Sequence, residues 1–320
     1  MSFSSEVKEE LSRQISTARH CQIAEITAII SMCGGVSISA ENQYSLKIHT
    51  ENISVARKYF TLLKKTFNIN TEVSIRQSTG PRKSRIYSVL LKDHEESLRV
   101  LQAAKLLDAD MEIRENFSMA DNLVIQRSCC RRAFIRGAFL AAGSISDPKK
   151  SYHFEIVCTS EEKARQLILI INSFDMDAKM VLRKKYFVVY LKEGAQIVDL
   201  LNIMEAHVAL MNLENVRILK EMRNSVNRQV NCETANIHKT VNAAVKQIED
   251  IRYIEKTIGF EQLSEGLEEI ARLRLEQPEA TLKELGAMLS VPVGKSGVNH
   301  RLRKLSILAE ELRQQGGEVQ

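Results

Sequence analysis

The chain lacks most of the short signatures that mark enzymes and metal proteins. Its six cysteines, Cys21, Cys33, Cys129, Cys130, Cys158 and Cys232, include no CxxC pair, and its seven histidines show no HxxxH spacing, so no metal site is expected. The stretch PVGKSG ends like a phosphate-binding loop, but Leu289 stands where that loop needs a glycine and a proline follows in the turn, which argues against nucleotide binding. No Ser/His/Asp set can be assembled, and no cofactor is implied. Neither a signal peptide nor a long apolar span is present, so a cytoplasmic, reduced protein without a membrane partner is expected. Strong net charge is missing too. With 45 basic and 40 acidic residues the formal net charge is only +5, so any nucleic-acid surface has to come from local clustering.

What the chain does contain is a repeat. CQIAEITAIISMCGGVSIS at residues 21–39 recurs, diverged, as CRRAFIRGAFLAAGSIS at 130–146. Ala28 maps onto Gly137 and Gly34 onto Gly143, an offset of 109 in both cases. Small residues a turn apart, Ala24 and Ala28 in one copy and Ala133, Gly137 and Ala141 in the other, allow the two helix backbones to approach closely about a pseudo-twofold axis. The similarity continues beyond the helices: each half reads helix, hairpin, helix, strands, helix. Tyr186, Val188 and Tyr190 alternate with Phe187, Val189 and Leu191 at the strand period of two, whereas Ala164, Leu167, Ile168 and Ile171 keep helical spacing. AENQ and DPKK are turn-rich joints between paired strands. The fold class is therefore α+β: a duplicated αββαββα domain followed by an all-α region.

That all-α region carries a different signal. TLKELGAMLSVPVGKSGVNHRLRKLSILAE has the pattern of a helix-turn-helix. Thr281 and Glu284 have capping-box spacing, Leu282, Leu285 and Leu289 share a face, Gly286 and Ala287 are small where two helices would cross, and Pro292 with Gly294 breaks the chain. A second helix starts near Ser296. Its apolar stripe of Val298, Leu302 and Leu305 turns Ser296, Asn299, His300 and Arg303 outward, at the end of such a helix that enters a major groove. Arg suits guanine and Asn suits adenine, while Lys295, Arg301 and Lys304 can neutralise phosphates; Thr281 at the first helix start completes the candidate DNA-binding set.

Between these regions, Ile237, Val241, Ala244, Ile248 and Ile251 form a helical stripe, so the connection is expected to be ordered helix. Arg223, Asn227, Arg228 and Asn231, with Asn224 and Asn236, read equally as a second nucleic-acid contact or as helix caps and turns. Arg127, Arg131, Arg132 and Arg136 cluster at the second repeated helix, and Arg82, Lys83, Arg85, Arg183, Lys184 and Lys185 flank strands. These read either as a cationic saddle over DNA or as solvated hairpin ends. The expected divisions are 1–125 for an N-terminal helix and the first repeat, 126–213 for the second, 214–258 for a helical linker and 259–320 for the helix-turn-helix domain.

A helix ending FIRGAFLAAGS followed by a hairpin resembles the LAGLIDADG helix of homing endonucleases, and the duplication resembles their single-chain form. In that family a carboxylate just before the last Gly of each motif helix holds the divalent metals. Here those positions are Cys33 and Ala142, which cannot ligate a hard cation, so the resemblance implies a kept scaffold without catalysis. Asp147 sits in a turn beyond a strand, and Glu25 more than two turns earlier. The opening SFSSEVKEELSR, the acid-free repeats and the linker string RNSVNRQVNCETANIHKT together resemble the WhiA family of bacterial regulators along nearly the whole chain. That resemblance implies a non-enzymatic, nucleoid-associated DNA-binding transcription factor concerned with sporulation, cell division and chromosome segregation, whose partners are double-stranded DNA and a transcription or division protein. Two other classes stay open at this point: a sequence-independent architectural DNA- or RNA-binding protein, and an active metal-dependent endonuclease.

Overall fold

The computed structural model describes residues 2–40, 43–77, 85–107 and 122–317. Glu41 and Asn42 of the first turn, together with Arg82 and Lys83, lie outside them. Two compact units divide at Lys220 and Glu221.

The first unit opens with helix α1 (Phe3–Arg13), started by the Ser2 side chain accepting from the Ser5 N–H, and burying Val7 and Leu11. The first repeat then runs α2 (Arg19–Cys33), β1 (Gly34–Ile38), β2 (Tyr44–Thr50), α3 (Ile53–Phe67), β3 (Glu72–Gln77), β4 (Arg85–Leu91) and α4 (His94–Ala103). The second runs α5 (Ser128–Ala142), β5 (Gly143–Ile145), β6 (Phe154–Cys158), α6 (Glu161–Asn172), β7 (Lys179–Arg183), β8 (Tyr186–Leu191) and α7 (Gly194–Ile203). Both repeats are therefore αββαββα. Their antiparallel sheets have matching orders, β1-β2-β4-β3 and β5-β6-β8-β7. Registers correspond as well: Ile48 faces Val89, which faces Val73, and Ile156 faces Val189, which faces Met180.

Period-two alternation decides which face each sheet buries. Leu46, Ile48, Val89 and Leu91 turn inward on one sheet, and Phe154, Ile156, Val189 and Leu191 on the other, all essentially without solvent contact. The two motif helices α2 and α5 pack along each other at the centre of the unit. Gly137 is required there: a Cβ would come within 2.6 Å of the Glu25 carbonyl and 2.9 Å of the Ala28 Cβ. The small-residue equivalence of Ala28 and Gly137 thus marks the helix crossing itself.

Helix α8 (His207–Thr257) starts in the first unit, where both Glu10 carboxylate oxygens accept from the N–H groups of Val208 and Ala209 at 2.8 and 2.9 Å. This carboxylate satisfies N–H groups that a helix start leaves without intrahelical partners. The expected linker is this one continuous helix. Its apolar stripe is only partly covered, however: Ile237 and Val241 are exposed, whereas Ile251 and Ile254 enter the core of the second unit. There they join Phe260 from a single 3-10 turn, together with α9 (Glu265–Glu276), α10 (Leu282–Met288) and α11 (Lys295–Gly317).

Candidate nucleic-acid interface

Local chemistry fixes the helix-turn-helix. The Thr281 hydroxyl accepts from the Glu284 N–H at 3.3 Å while the Glu284 carboxylate accepts from the Thr281 N–H at 2.7 Å, closing the capping box. That double contact holds the Glu284 carboxyl below the usual range. Leu285 and Leu289 are buried and Leu282 is partly so. Gly286 is indispensable because a Cβ would lie 2.2 Å from the Val293 carbonyl, and the Gly286 carbonyl itself accepts from the Val293 N–H at 3.0 Å. Ala287 differs from expectation: it faces solvent, since one small residue is enough where the turn folds back over α10. Glu269 on α9 accepts from the Ser290 N–H at 2.5 Å, and the buried Arg274 donates to the Ala280 carbonyl at 2.6 Å. Helix α10 is thereby tied to α9 at both its ends.

On α11 the stripe of Val298, Leu302 and Leu305 is buried to 1% exposure or less. The opposite face presents Lys295, Ser296, Asn299, His300, Arg303 and Lys304 to solvent. Asn299 and Arg303 are one helical turn apart, so their side chains stand side by side. Thr281 is exposed, but its hydroxyl is engaged in the cap. Arg301 turns the other way: it is partly buried and donates to the Gly266 carbonyl at 3.4 Å, which makes it a brace between α11 and α9 rather than an outward phosphate contact. Its position explains this, because residue 301 precedes the buried Leu302 and leans over the α9 start.

Arg223, Asn227, Arg228 and Asn231 all lie exposed inside α8, as do Asn224 and Asn236. None of them caps a helix, so the cap-and-turn reading is corrected. Arg223, Asn227 and Asn231 recur every fourth residue and share a face.

The duplicated unit yields a different picture at its motif helices. Cys33 donates its S–H to the Ile29 carbonyl at 3.3 Å, and Ala142 lies partly buried in the equivalent place. Burial pushes the Cys33 thiol up to about 12, against the opposing pull of Lys8. Burial also draws the Lys8 ammonium down to about 8. A lysine thus approaches the very end of α2 where the endonuclease pattern would place metal. Of the described residues lining the cavity that Ala142 shares with Lys8, one is an acid, Glu51, exposed on the turn after β2. Asp147 is exposed and accepts from the Lys149 N–H in its own turn.

Arg136 does not belong to a cationic surface. It is buried in α5, donating to Glu25 at 3.1 Å and to Glu205 at 2.7 Å, while Lys58 of α3 reaches the same Glu25 carboxylate at 3.1 Å. Burial lowers the Lys58 ammonium, with Glu25 opposing. Arg131 and Arg132 both lie 5.7 Å from the Phe174 ring centroid, Arg132 with an exposed side chain. Arg183, Lys184 and Lys185 sit at the β7–β8 hairpin and Arg85 at the start of β4, all exposed. The basic residues of this unit are spread over several edges, whereas those of α11 share one face.

One constellation escaped sequence reasoning. His20, Cys21, Cys129 and Cys130 converge where the N-terminal ends of α2 and α5 meet, a grouping that no CxxC spacing announces. The repeat offset of 109 held the signal, since it maps 20 onto 129 and 21 onto 130.

Comparisons with known proteins place these observations. Three family models match in succession: "WhiA N-terminal LAGLIDADG-like domain" over residues 19–107, "WhiA LAGLIDADG-like domain" over 131–223 and "WhiA C-terminal HTH domain" over 226–309. A "Probable cell division protein WhiA" from Lachnoclostridium phytofermentans is 60% identical, covering 98% of this chain and 100% of its own length. Its counterpart in Alkaliphilus oremlandii is 50% identical, covering 98% of both chains. A crystal structure of full-length DUF199/WhiA from Thermatoga maritima, 23% identical, matches with a TM-score of 0.58 over 97% of this chain and 99% of that one, and supports the fold. With the degenerate LAGLIDADG-like pair, the helix-turn-helix and full-length relatives in agreement, the chain belongs to the WhiA family.

Proposed function

We propose that this protein is a sequence-specific, double-stranded-DNA-binding transcription regulator without catalytic activity. The observation that carries the reading is the α11 surface: hydrogen-bonding Asn299, His300 and Arg303 stand opposite a buried Val298, Leu302 and Leu305 stripe, on a helix that follows a turn packed through Val293 onto Gly286 of the capped α10. Side chains of this kind read base edges, which a binder gripping only phosphates does not need. Lys295, Ser296 and Lys304 supply backbone contacts beside them, and the Arg223, Asn227 and Asn231 face of α8, with Arg228 next to it, adds a second grip. In this reading residues 259–320 recognise the site, 214–258 link, and 1–125 with 126–213 form the duplicated scaffold that also offers Arg131 and Arg132.

The lack of a carboxylate at Cys33 and Ala142, with Lys8 nearby, supports a scaffold that no longer hydrolyses phosphodiesters. The relatives' description as probable cell division proteins supports a role in division. Sporulation and chromosome segregation as processes served, a nucleoid location in the cytoplasm and a transcription or division protein as partner are part of the same proposal and rest on the family resemblance alone. The test is to incubate the protein with sheared genomic DNA at two salt concentrations and sequence what is retained. Enrichment of fragments sharing one motif, persisting at the higher salt, is expected; uniform recovery that vanishes with salt would favour an architectural binder instead.

A further inference from the structure

The His/Cys cluster needs both halves of the molecule. His20 Nδ1 lies 3.2 Å from Cys130 Sγ and 3.3 Å from Cys21 Sγ. One ligand atom from each of His20, Cys21, Cys129 and Cys130 falls within 4.8 Å of all the others. Around a tetrahedral zinc with metal–sulfur bonds of about 2.3 Å and a metal–nitrogen bond of about 2.0 Å, the ligand atoms stand roughly 3.5–3.8 Å apart. Small side-chain rotations close that difference. The four positions, three thiols and one imidazole, obey the internal symmetry, with one adjacent pair at the start of each motif helix.

Three further features suit a metal-thiolate centre. All six cysteines of the chain are free, Cys21 and Cys130 being buried. The starts of α2 and α5, with Ala18 and Arg127 as their cap residues, have no side-chain cap. Two positive helix ends and the Arg127 guanidinium, 3.5 Å from His20 Nε2, therefore face the net negative charge that three thiolates around a divalent ion would leave. Ala24, Val124 and Ala133 pack around the cysteines and close the far side to water.

We propose that His20, Cys21, Cys129 and Cys130 bind one structural zinc ion that clasps the two motif helices at their N-terminal ends. Soft thiolates and an imidazole exclude magnesium and calcium, and four protein ligands leave no position open for a reactive water. On binding, each of the three thiols releases its proton and the imidazole ligates through Nδ1 with its proton on Nε2, so the Arg127 guanidinium, which can only donate, leaves Nε2 and turns to the thiolates. The centre is separate from the degenerate endonuclease positions. Cys33 ends the helix that Cys21 begins, 12 residues or about 18 Å along it.

The experiment uses the full chain, untagged, purified under reductant without chelator and then exposed to zinc and desalted. Elemental analysis should find close to one zinc per chain, and cobalt in its place should give the absorption of a tetrahedral, thiolate-rich site. Cys129→Ser, chosen because that thiol is exposed, should weaken zinc binding at least about tenfold with an unchanged circular dichroism spectrum, while Cys232→Ser should leave both readouts intact. A chain that retains no zinc and gives no tetrahedral cobalt spectrum overturns the proposal. So does a cobalt spectrum that survives Cys129→Ser and His20→Ala, or a disulfide within the cluster in protein kept reduced.

Discussion

Glu25→Gln should destabilise the duplicated unit by an amount that the structure lets one work out. The Glu25 carboxylate is fully buried and serves Lys58 and Arg136, whose side chains are 0% and 3% exposed. Glutamine keeps the shape and one acceptor oxygen but removes the charge, leaving two buried cations facing a neutral group. Removing one partner of a buried ion pair costs about 3–5 kcal/mol. Here the loss is tempered, because Arg136 retains Glu205 at 2.7 Å, and Lys58 also donates to the carbonyls of Leu11, at 3.1 Å, and of Gln14. The net expectation is roughly 2–4 kcal/mol. The assay is hydrogen exchange by mass spectrometry across a urea series, following peptides of α2 and α5 so that the loss is localised to this unit. A compensated variant, Glu25→Leu with Lys58→Met and Arg136→Met, should regain most of the stability, since apolar replacement of a whole buried network is often neutral or better. A Glu25→Gln protein within about 0.5 kcal/mol of the parent would refute the view that this carboxylate neutralises the helix junction.

Three other outcomes follow from the same geometry. The purified protein should leave supercoiled and linear DNA intact with magnesium or manganese, and Cys33→Asp with Ala142→Asp should lower stability without creating cleavage, because two carboxylates forced together repel; metal-dependent cutting that survives removal of contaminating nucleases would contradict this. Gly137→Ala should cost about 1–3 kcal/mol through overpacking, read from the thermal midpoint, because its Cβ would press on the Glu25 carbonyl and the Ala28 methyl. For Lys8, burial depresses the folded ammonium to about 8, so the unfolded chain holds the proton more tightly and Lys8 contributes a stability that rises with pH above 8. Lys8→Met should therefore be more stable than the parent near pH 7, the gap narrowing by about 1 kcal/mol by pH 9 in urea titrations; a gap that is constant with pH would refute the burial argument.

The parts legible in sequence were those set by short-range rules. Period-two alternation in Tyr186 to Leu191 gives β8, Thr281 with Glu284 gives the α10 cap, and the repeat places Ala28 against Gly137 at the helix crossing. Contacts between distant segments were not legible. Arg136 looks like a surface cation among other arginines, and only the arrival of Glu25, 111 residues earlier, and of Glu205 makes it a buried one. Arg301 likewise reads as a phosphate contact until Gly266 is seen beside it. The His/Cys cluster fails every local spacing rule because its two pairs come from opposite halves. For α8, the stripe of Ile237 to Ile251 correctly signals helix, but periodicity alone does not say which positions are covered.

The central claim, that α11 reads sequence, is tested most directly by titrating α11 variants against a selected site and a scrambled duplex at several salt concentrations, with circular dichroism confirming the fold. Asn299→Ala and Arg303→Ala should each weaken binding to the selected site by roughly 1–3 kcal/mol while affecting the scrambled duplex much less, whereas Lys304→Ala should weaken both alike and flatten the salt dependence. Equal losses on both duplexes for Asn299→Ala and Arg303→Ala would mean that this helix grips DNA without reading it.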